Sequence, residues 1–471
     1  MDAETVYLFR HAVVRDAAYE LQLPRDRAKL HELAFYLIEQ AFGGRAPALA
    51  PLSEVVQPKL KIHPTDSVAL ELYRHANLAL THTPQAEKSD LAELRIRYLR
   101  RSAEYAEVHF QFHQSADAWE ALAALLDESN GAEALRRAGV SARVTGDSKR
   151  GAALLQTSLA RSRDAGQRLF EGKALCDLAT LYRMTGRLDE SIRLHEDAVV
   201  VLRETGDHRG EGIALANLAS IYQVTGKAEL SEKIYQEAVA IHRAVDDKRS
   251  EAIALTNLGL LYREAGKLTR SEEYCDQALA LHREVGNLGG EGSTLGILAV
   301  VYERTDRIDQ AAELYARALA IHREAGDRRF MGTVLSNFAN YYRVTGDMKL
   351  AEETFGRALQ ILREVGNRLG EAKALERLAL VHEASGDMEA SERAVEQALG
   401  VYRAVRNTRA EALASCNLAL IRVGRKQEVA ARSAWASGVE SLRVLGDDAA
   451  IESKTAELRE ACAAAGIEPF S

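Results

Sequence analysis

The side chains of this 471-residue chain best suited to chemistry recur at fixed spacing. Asn217, Asn257, Asn337 and Asn417 hold one position of a periodic pattern, with Asp177, Ile297 and Arg377 replacing Asn in other units. An asparagine amide offers a donor and an acceptor together, which suits the paired C=O and N–H of an extended peptide backbone. Six residues further on, a second series reads Arg183, Gln223, Arg263, Glu303, Arg343, Glu383. Arginine binds carboxylates bidentately, so Arg183, Arg263 and Arg343 would give that face cationic spots. Lys173, Ser220, Thr256, Ser293, Ser336 and Asn340 are further polar candidates for the same face. Both series also fit a plainer reading. The asparagines then belong to a repeat consensus and bond a neighbouring helix, and the charges form intrahelical pairs on a solvated face, worth little each.

Signs of catalysis are sparse. His109 and His113 stand four apart on an expected helix, a spacing that suits a metal. No third ligand is near in sequence, so helix surface or interhelix packing is the expected role. His242, His282 and His322 recur at the end of a helix, where polar or positive groups suit the C-terminus. The run Gly286-Asn-Leu-Gly-Gly-Glu-Gly292 follows no strand, and no G-x-x-x-x-G-K-[ST] or G-x-S-x-G occurs, so neither a nucleotide site nor a serine nucleophile is indicated. Cys176, Cys275, Cys416 and Cys462 form no CxxC pair. The expectation is a protein that is not an enzyme and takes no cofactor or metal. A net charge of −8 argues against broad nucleic-acid binding. No apolar run reaches the length of a membrane span. The start Met1-Asp-Ala-Glu lacks a signal-peptide pattern, and dispersed thiols fit a reducing cytoplasm.

The elements that must position these residues are helices. Six of seven prolines lie before residue 85 and the last is Pro469. From 131 to about 447 the chain repeats every 40 residues. Gly146, Gly186, Gly226, Gly266, Gly346 and Gly386 share one register, with Asp306 standing in once. Tyrosine precedes this turn at 182, 222, 262, 302 and 342. Leu215, Leu218, Ala219 and Tyr222 mark one helix face, and Gly226 is placed to end that helix in the left-handed conformation. Asp or Asn at 207, 247, 287, 327, 367, 407 and 447 would cap the next helix. Glu211, Glu251, Glu291, Glu371 and Glu411 would favour its positive end. Small residues at the Ala179, Ala219, Gly259 register and at the Ala198 register would let paired helices approach closely. Each unit is then two helices that bury their apolar faces only by stacking. Gly424 comes two residues early and Arg422 replaces tyrosine, which predicts a distorted or capping repeat.

The set Leu218-Ala219, Tyr222, Gly226, Tyr235 and Ala238, repeated one period on, resembles the tetratricopeptide repeat in its 40-residue, kinesin-light-chain-like form. The resemblance implies an all-α, right-handed α-solenoid of antiparallel helix pairs. It also implies a peptide groove lined by Asn217, Asn257, Asn337 and Asn417. The region 1–130 resembles the part that follows the ATPase domain in bacterial multidomain signalling ATPases, on Phe9, Arg10, His11, Arg15, Ala18, Tyr19, Leu23, Pro24, Arg27, Leu30 and His31. The organisation expected is a helical remnant of a winged-helix-like segment at 1–42, a Pro/Gly-rich linker at 43–66 and degenerate helix pairs at 67–130. About eight repeats follow at 131–447, then a capping helix and tail at 448–471. The function expected is a cytoplasmic protein-protein interaction scaffold in bacterial signalling that binds a peptide or protein segment. The alternatives are the detached sensor half of a signalling ATPase acting in trans, with that ATPase or a kinase as partner, and a peptide-sensing regulator. No nucleic acid or membrane is expected, and homo-oligomerisation is left open.

Overall fold

The computed structural model describes residues 23–52, 59–81 and 89–470. Of the residues that carry the ATPase resemblance, Phe9, Arg10, His11, Arg15, Ala18 and Tyr19 lie outside these. Two compact units divide the chain, residues 1–218 and 219–471. In the first, Pro24 opens α1 (Pro24–Ala41), where its missing N–H costs nothing. A short 3-10 turn at Pro64–Val68 leads into α2 (Ala69–Thr81), followed by α3 (Ser89–Val108) and α4 (Phe112–Ala123). Then one metric takes over. α5 (Glu128–Val144), α6 (Ser148–Asp164), α7 (Arg168–Met184) and α8 (Leu188–Glu204) each hold 17 residues and start 20 apart. α9 (His208–Val224) contains the boundary between the units.

The second unit keeps that metric. It runs through α10 (Ala228–Ala244), α11 (Lys248–Glu264), α12 (Leu268–Glu284), α13 (Leu288–Arg304), α14 (Ile308–Glu324) and α15 (Arg328–Val344). α16 (Met348–Glu364), α17 (Arg368–Ala384), α18 (Met388–Ala404), α19 (Thr408–Gly424), α20 (Glu428–Val444) and α21 (Asp448–Ala465) complete it. The fold is all-α, and each unit stacks antiparallel helix pairs. Among the described residues there is no strand, and no helix is long and apolar enough to cross a membrane.

The described parts of the 43–66 segment, residues 43–52 and 59–66, are pinned to their unit. Arg101 of α3, 1% exposed, meets Asp66 at 2.5 Å and donates to the carbonyls of Pro47 at 3.0 Å and Lys61 at 3.1 Å. One buried guanidinium thus satisfies loop carbonyls that would otherwise lack partners.

Local chemistry explains the metric. Asp247, Asn287, Asp327, Asn367, Asn407 and Asp447 each accept the backbone amide three residues on, at 3.0–3.3 Å. Gly226 ends its helix at φ +80°, a conformation that costs glycine nothing. The chain pays for that geometry elsewhere: Asp306 at +61°, Arg406 at +54° and Lys426 at +59° adopt it with a Cβ. Lys426 corrects the expectation of a distorted repeat. α19 has the standard 17 residues with Gly424 as its last, and Lys426 takes the left-handed turn at the usual register.

Helices within a pair approach as the small residues predict. A Cβ on Gly259 would lie 2.6 Å from Cys275 Sγ. Serines tighten the same crossing. Ser191 donates to the Ala179 carbonyl at 2.7 Å, Ser231 to Ala219 at 2.8 Å and Ser271 to Gly259 at 2.7 Å. The histidine register lies in the last turn of the second helix of its repeats, as expected, and is buried there. His282 Nε2 lies 3.1 Å from Thr256 Oγ1, and its Nδ1 lies 3.0 Å from Asn287 Nδ2. The glycine-rich run makes room for these rings, since a Cβ on Gly292 would sit 2.8 Å from His322 Nε2 and one on Gly290 would overlap His282.

Replacing Lys426 with Gly should raise stability by about 1 kcal/mol, the cost of holding a side-chain-bearing residue in the left-handed region. The measurement is the urea midpoint, and an unchanged or lower value would show the turn to be unstrained. A second expectation follows from His195 and His282, both held down to about 4. Burial is the main cause. Arg183 opposes added charge on His195 and Arg249 on His282, while Glu291 favours it on His282. The unfolded chain therefore binds these protons first, so their contribution is full above the ordinary value of 6.5 and is lost as pH falls from there towards about 4. The thermal midpoint should drop across that window, and less so in a His195→Leu/His282→Gln double variant. Equal slopes would show that carboxylates alone carry the acid sensitivity.

Candidate functional site

In the second unit, side chains from four successive first helices of the repeats meet around a cavity of about 300 Å³. Leu260 and Arg263 come from α11, Ser293 and Ile297 from α13, Val334, Ser336 and Asn337 from α15, and Lys373 and Arg377 from α17. Arg263 and Asn337, expected in a groove from sequence, are brought together here. Arg377 is the position where sequence shows Asn replaced. Its Nη1 donates to Asn337 Oδ1 at 2.7 Å, one repeat back. The replacement and the asparagine are therefore partners.

The remaining expected residues form a network behind the cavity. Glu303 accepts from Tyr315 Oη at 3.0 Å and from Asn340 Nδ2 at 3.2 Å, and Arg343 Nε donates to Asn340 Oδ1 at 3.1 Å. Arg304 donates to the Arg263 carbonyl at 3.2 Å. Burial dominates the electrostatics. It pushes the Glu303 carboxyl up, against the pull of Arg377, Arg304 and Arg343, and pushes Arg263 and Arg377 down, against the pull of Glu264 on Arg263 and of Tyr315 and Glu303 on Arg377.

The other asparagines divide. Asn417 Oδ1 accepts from Lys454 Nζ at 2.8 Å, the same offset logic as Asn337 with Arg377. Asn217 and Asn257 are half-buried and make no side-chain hydrogen bond among the described residues. Thr256 is a correction: it bonds the buried Thr294 at 2.8 Å as well as His282, and faces the interior of the repeat. In the first unit, Lys173 lines a separate cavity of about 420 Å³ with Arg136, Asp177 and Asp207. There Arg136 pairs with Asp177 and with Glu133 at 2.7 Å, and burial pushes the Lys173 amine down. Arg183, in the same unit, stands close enough to His195 to oppose its protonation.

Sequence reasoning missed Lys373 and Arg377 as cavity residues. The signal available was the break in the asparagine register at 377. The spacing of His109 and His113 misled: α3 ends at Val108 and Phe110 turns at φ +59°, so the two histidines do not share a helix. His109 Nδ1 lies 2.8 Å from the Tyr105 carbonyl oxygen. Among the described residues no group of three possible ligands gathers for a metal.

A stack of 17-residue helix pairs with small residues at the crossings and a cavity on the inner register is a helical-repeat protein. The tetratricopeptide repeat family matches residues 210–270, 250–324 and 330–404, and a second description of the same repeat matches 173–205. Across these spans the chain carries tetratricopeptide repeats. No curated protein matches it in sequence. Among solved structures it is similar to the apo form of the quorum sensor NprR from B. thuringiensis, at 16% identity and TM-score 0.54, covering 71% of this chain and 93% of that one. A Rap protein complexed with Competence and Sporulation Factor is 14% identical with TM-score 0.53, covering 81% and 99%. Aspartyl phosphate phosphatase F from Bacillus subtilis is 13% identical with TM-score 0.51, covering 72% and 89%. At these identities the likeness establishes the fold.

Proposed function

We propose that the chain is a non-enzymatic scaffold that holds a peptide, or a segment of another protein, against the inner register of its first helices. The observation that carries this reading is the convergence of four successive repeats on one cavity that offers amide and guanidinium donors beside apolar side chains. A backbone needs donors and acceptors at regular intervals, and its side chains need apolar contact. A repeat array supplies both at a fixed rise. Asn217 and Asn257 leave their amides available to such a segment. Asn337 and Asn417 serve it through the cations they orient. The similar Rap structure is itself a complex with Competence and Sporulation Factor, and NprR is a quorum sensor. That company supports a signalling role; a bacterial cytoplasm as its place and a peptide as its partner belong to the same proposal.

Substituting Asn217, Asn257 and Asn337 together with alanine should weaken capture of the partner at least about tenfold, the worth of one to two good hydrogen bonds, with helical circular dichroism unchanged. The measurement is quantitative affinity purification from the native organism followed by binding to the purified partner. Unaltered affinity with intact helicity would mean that the amides are structural. The purified protein should neither bind ATP saturably in calorimetry nor hydrolyse it, and measured hydrolysis would overturn the non-enzymatic reading.

A further inference from the structure

Near the end of each first helix in the second unit, one register carries a side chain that spans the gap between the second helices on either side. Tyr262 shows the arrangement. It is 1% exposed, its hydroxyl donates to Glu232 of α10 at 2.7 Å, and its ring stacks on Tyr274 of α12 with centroids 5.2 Å apart. Tyr302 repeats it one unit on. Arg307 lies 3.6 Å over its ring, and burial and then Glu272, at the offset of Glu232, push its hydroxyl up. Tyr342 packs on Phe338 with centroids 4.5 Å apart.

His382 stands next in this register, and its surroundings shrink with it. Ala390 takes the place of Arg270, Gln310 and Leu350, and Ala394 that of Tyr274, Leu314 and Thr354. A cleft of about 550 Å³ results between α16 and α18, with α17 between them and the buried Leu359 and Leu375 in its lining. What the place keeps is the carboxylate. Glu352 lines the cleft at the same offset from His382 as Glu232 has from Tyr262. It is exposed, and neither it nor the His382 ring makes a hydrogen bond or ion pair among the described residues. Arg422 fills the register one repeat further on, and two carboxylates hold it: Glu392 accepts from its Nε and Glu396 from its Nη2, each at 2.7 Å. The position matching Glu396 at the cleft is Gly356. A single carboxylate beside buried leucines suits a phenol, whose ring gains from burial and whose hydroxyl needs one acceptor. A guanidinium there would leave most of its five donors unmet.

We propose that this cleft takes the side chain of a tyrosine on a partner protein, its ring against Leu359 and Leu375 and its hydroxyl donating to Glu352. The array itself supplies the argument, because its own tyrosines fill the equivalent places. The cleft exceeds a single ring, which leaves room for the backbone on either side of that tyrosine. It opens between second helices, apart from the inner-register cavity, so the proposal goes beyond the peptide-holding reading and does not depend on it.

The test titrates the full chain with p-cresol, which is the tyrosine side chain on its own, and with an acetylated and amidated Ala-Tyr-Ala tripeptide, both followed by ligand-observed NMR. Each should saturate at millimolar concentration, and toluene should bind about fivefold more weakly than p-cresol for want of the hydroxyl. Glu352→Ala should weaken p-cresol by about the same factor and leave toluene within about twofold. His382→Tyr returns the chain's own ring to the register, so it should raise the thermal midpoint and weaken both probes at least about tenfold, since two rings cannot share the space. If that variant loses helicity, Ala394→Leu fills the same space, as Leu314 does in its own repeat. Binding of p-cresol that the filling variant leaves unaltered would overturn the site, as would ethylguanidinium binding more tightly than p-cresol. Binding of p-cresol without the tripeptide would overturn a partner's tyrosine as the occupant. Saturation by neither probe would overturn the proposal outright.

Discussion

The close crossing of the two helices in each repeat is the constraint on which the other features depend. At Gly259 there is no room for a Cβ against Cys275, and Ser271 binds the Gly259 carbonyl across the same crossing. The serine hydroxyl satisfies a second lone pair on a carbonyl already used in its helix, so it bridges the helices without breaking either. Close crossing leaves the inner-register side chains at a constant offset from one repeat to the next. That constancy lets Arg377 reach back to Asn337, and Lys454 to Asn417, over nearly the same interval.

The joints between repeats have their own fastening. An arginine in the last turn of a second helix meets a glutamate in the first turn of the helix that follows, at Arg203–Glu211, Arg243–Glu251, Arg283–Glu291, Arg363–Glu371 and Arg403–Glu411. The glutamate of the first pair is 4% exposed while its arginine is 54% exposed. Each residue also suits the helix dipole where it stands. The pairs therefore align consecutive repeats more than they supply net stability, since a half-exposed ion pair contributes little. Against these matched pairs, Arg377 of the cavity bonds the neutral Asn337 amide, with Glu303 near enough to attract it.

Much of this was legible beforehand, and the failures have specific causes. The glycine register announced the left-handed turns, because only glycine adopts them without strain. It could not announce Lys426, where the surrounding helices impose the turn on a residue that does not favour it. His109 and His113 looked like one helix face because their spacing is helical, but the turn at Phe110 lies between them. Thr256 looked like a groove residue from its place beside the asparagine register. Its hydroxyl was claimed by a buried imidazole and a second threonine instead. The asparagines showed in sequence as a ladder of equals, yet two of the four are bound by cations from the next turn of the array.

Periodicity and residue type were enough to determine an all-α array of paired helices, the place of its turns, its small-residue crossings and the polar face of its first helices. These are local properties, set by a 3.6-residue repeat, by which residues tolerate positive φ and by where caps can form. What only the tertiary structure decided was which polar groups on that face remain available. That depends on contacts about 40 residues apart, where a difference of a few ångströms separates a satisfied guanidinium from an open one. Sequence spacing reports the register of a side chain, but the partner it meets is fixed by how closely neighbouring helices pack.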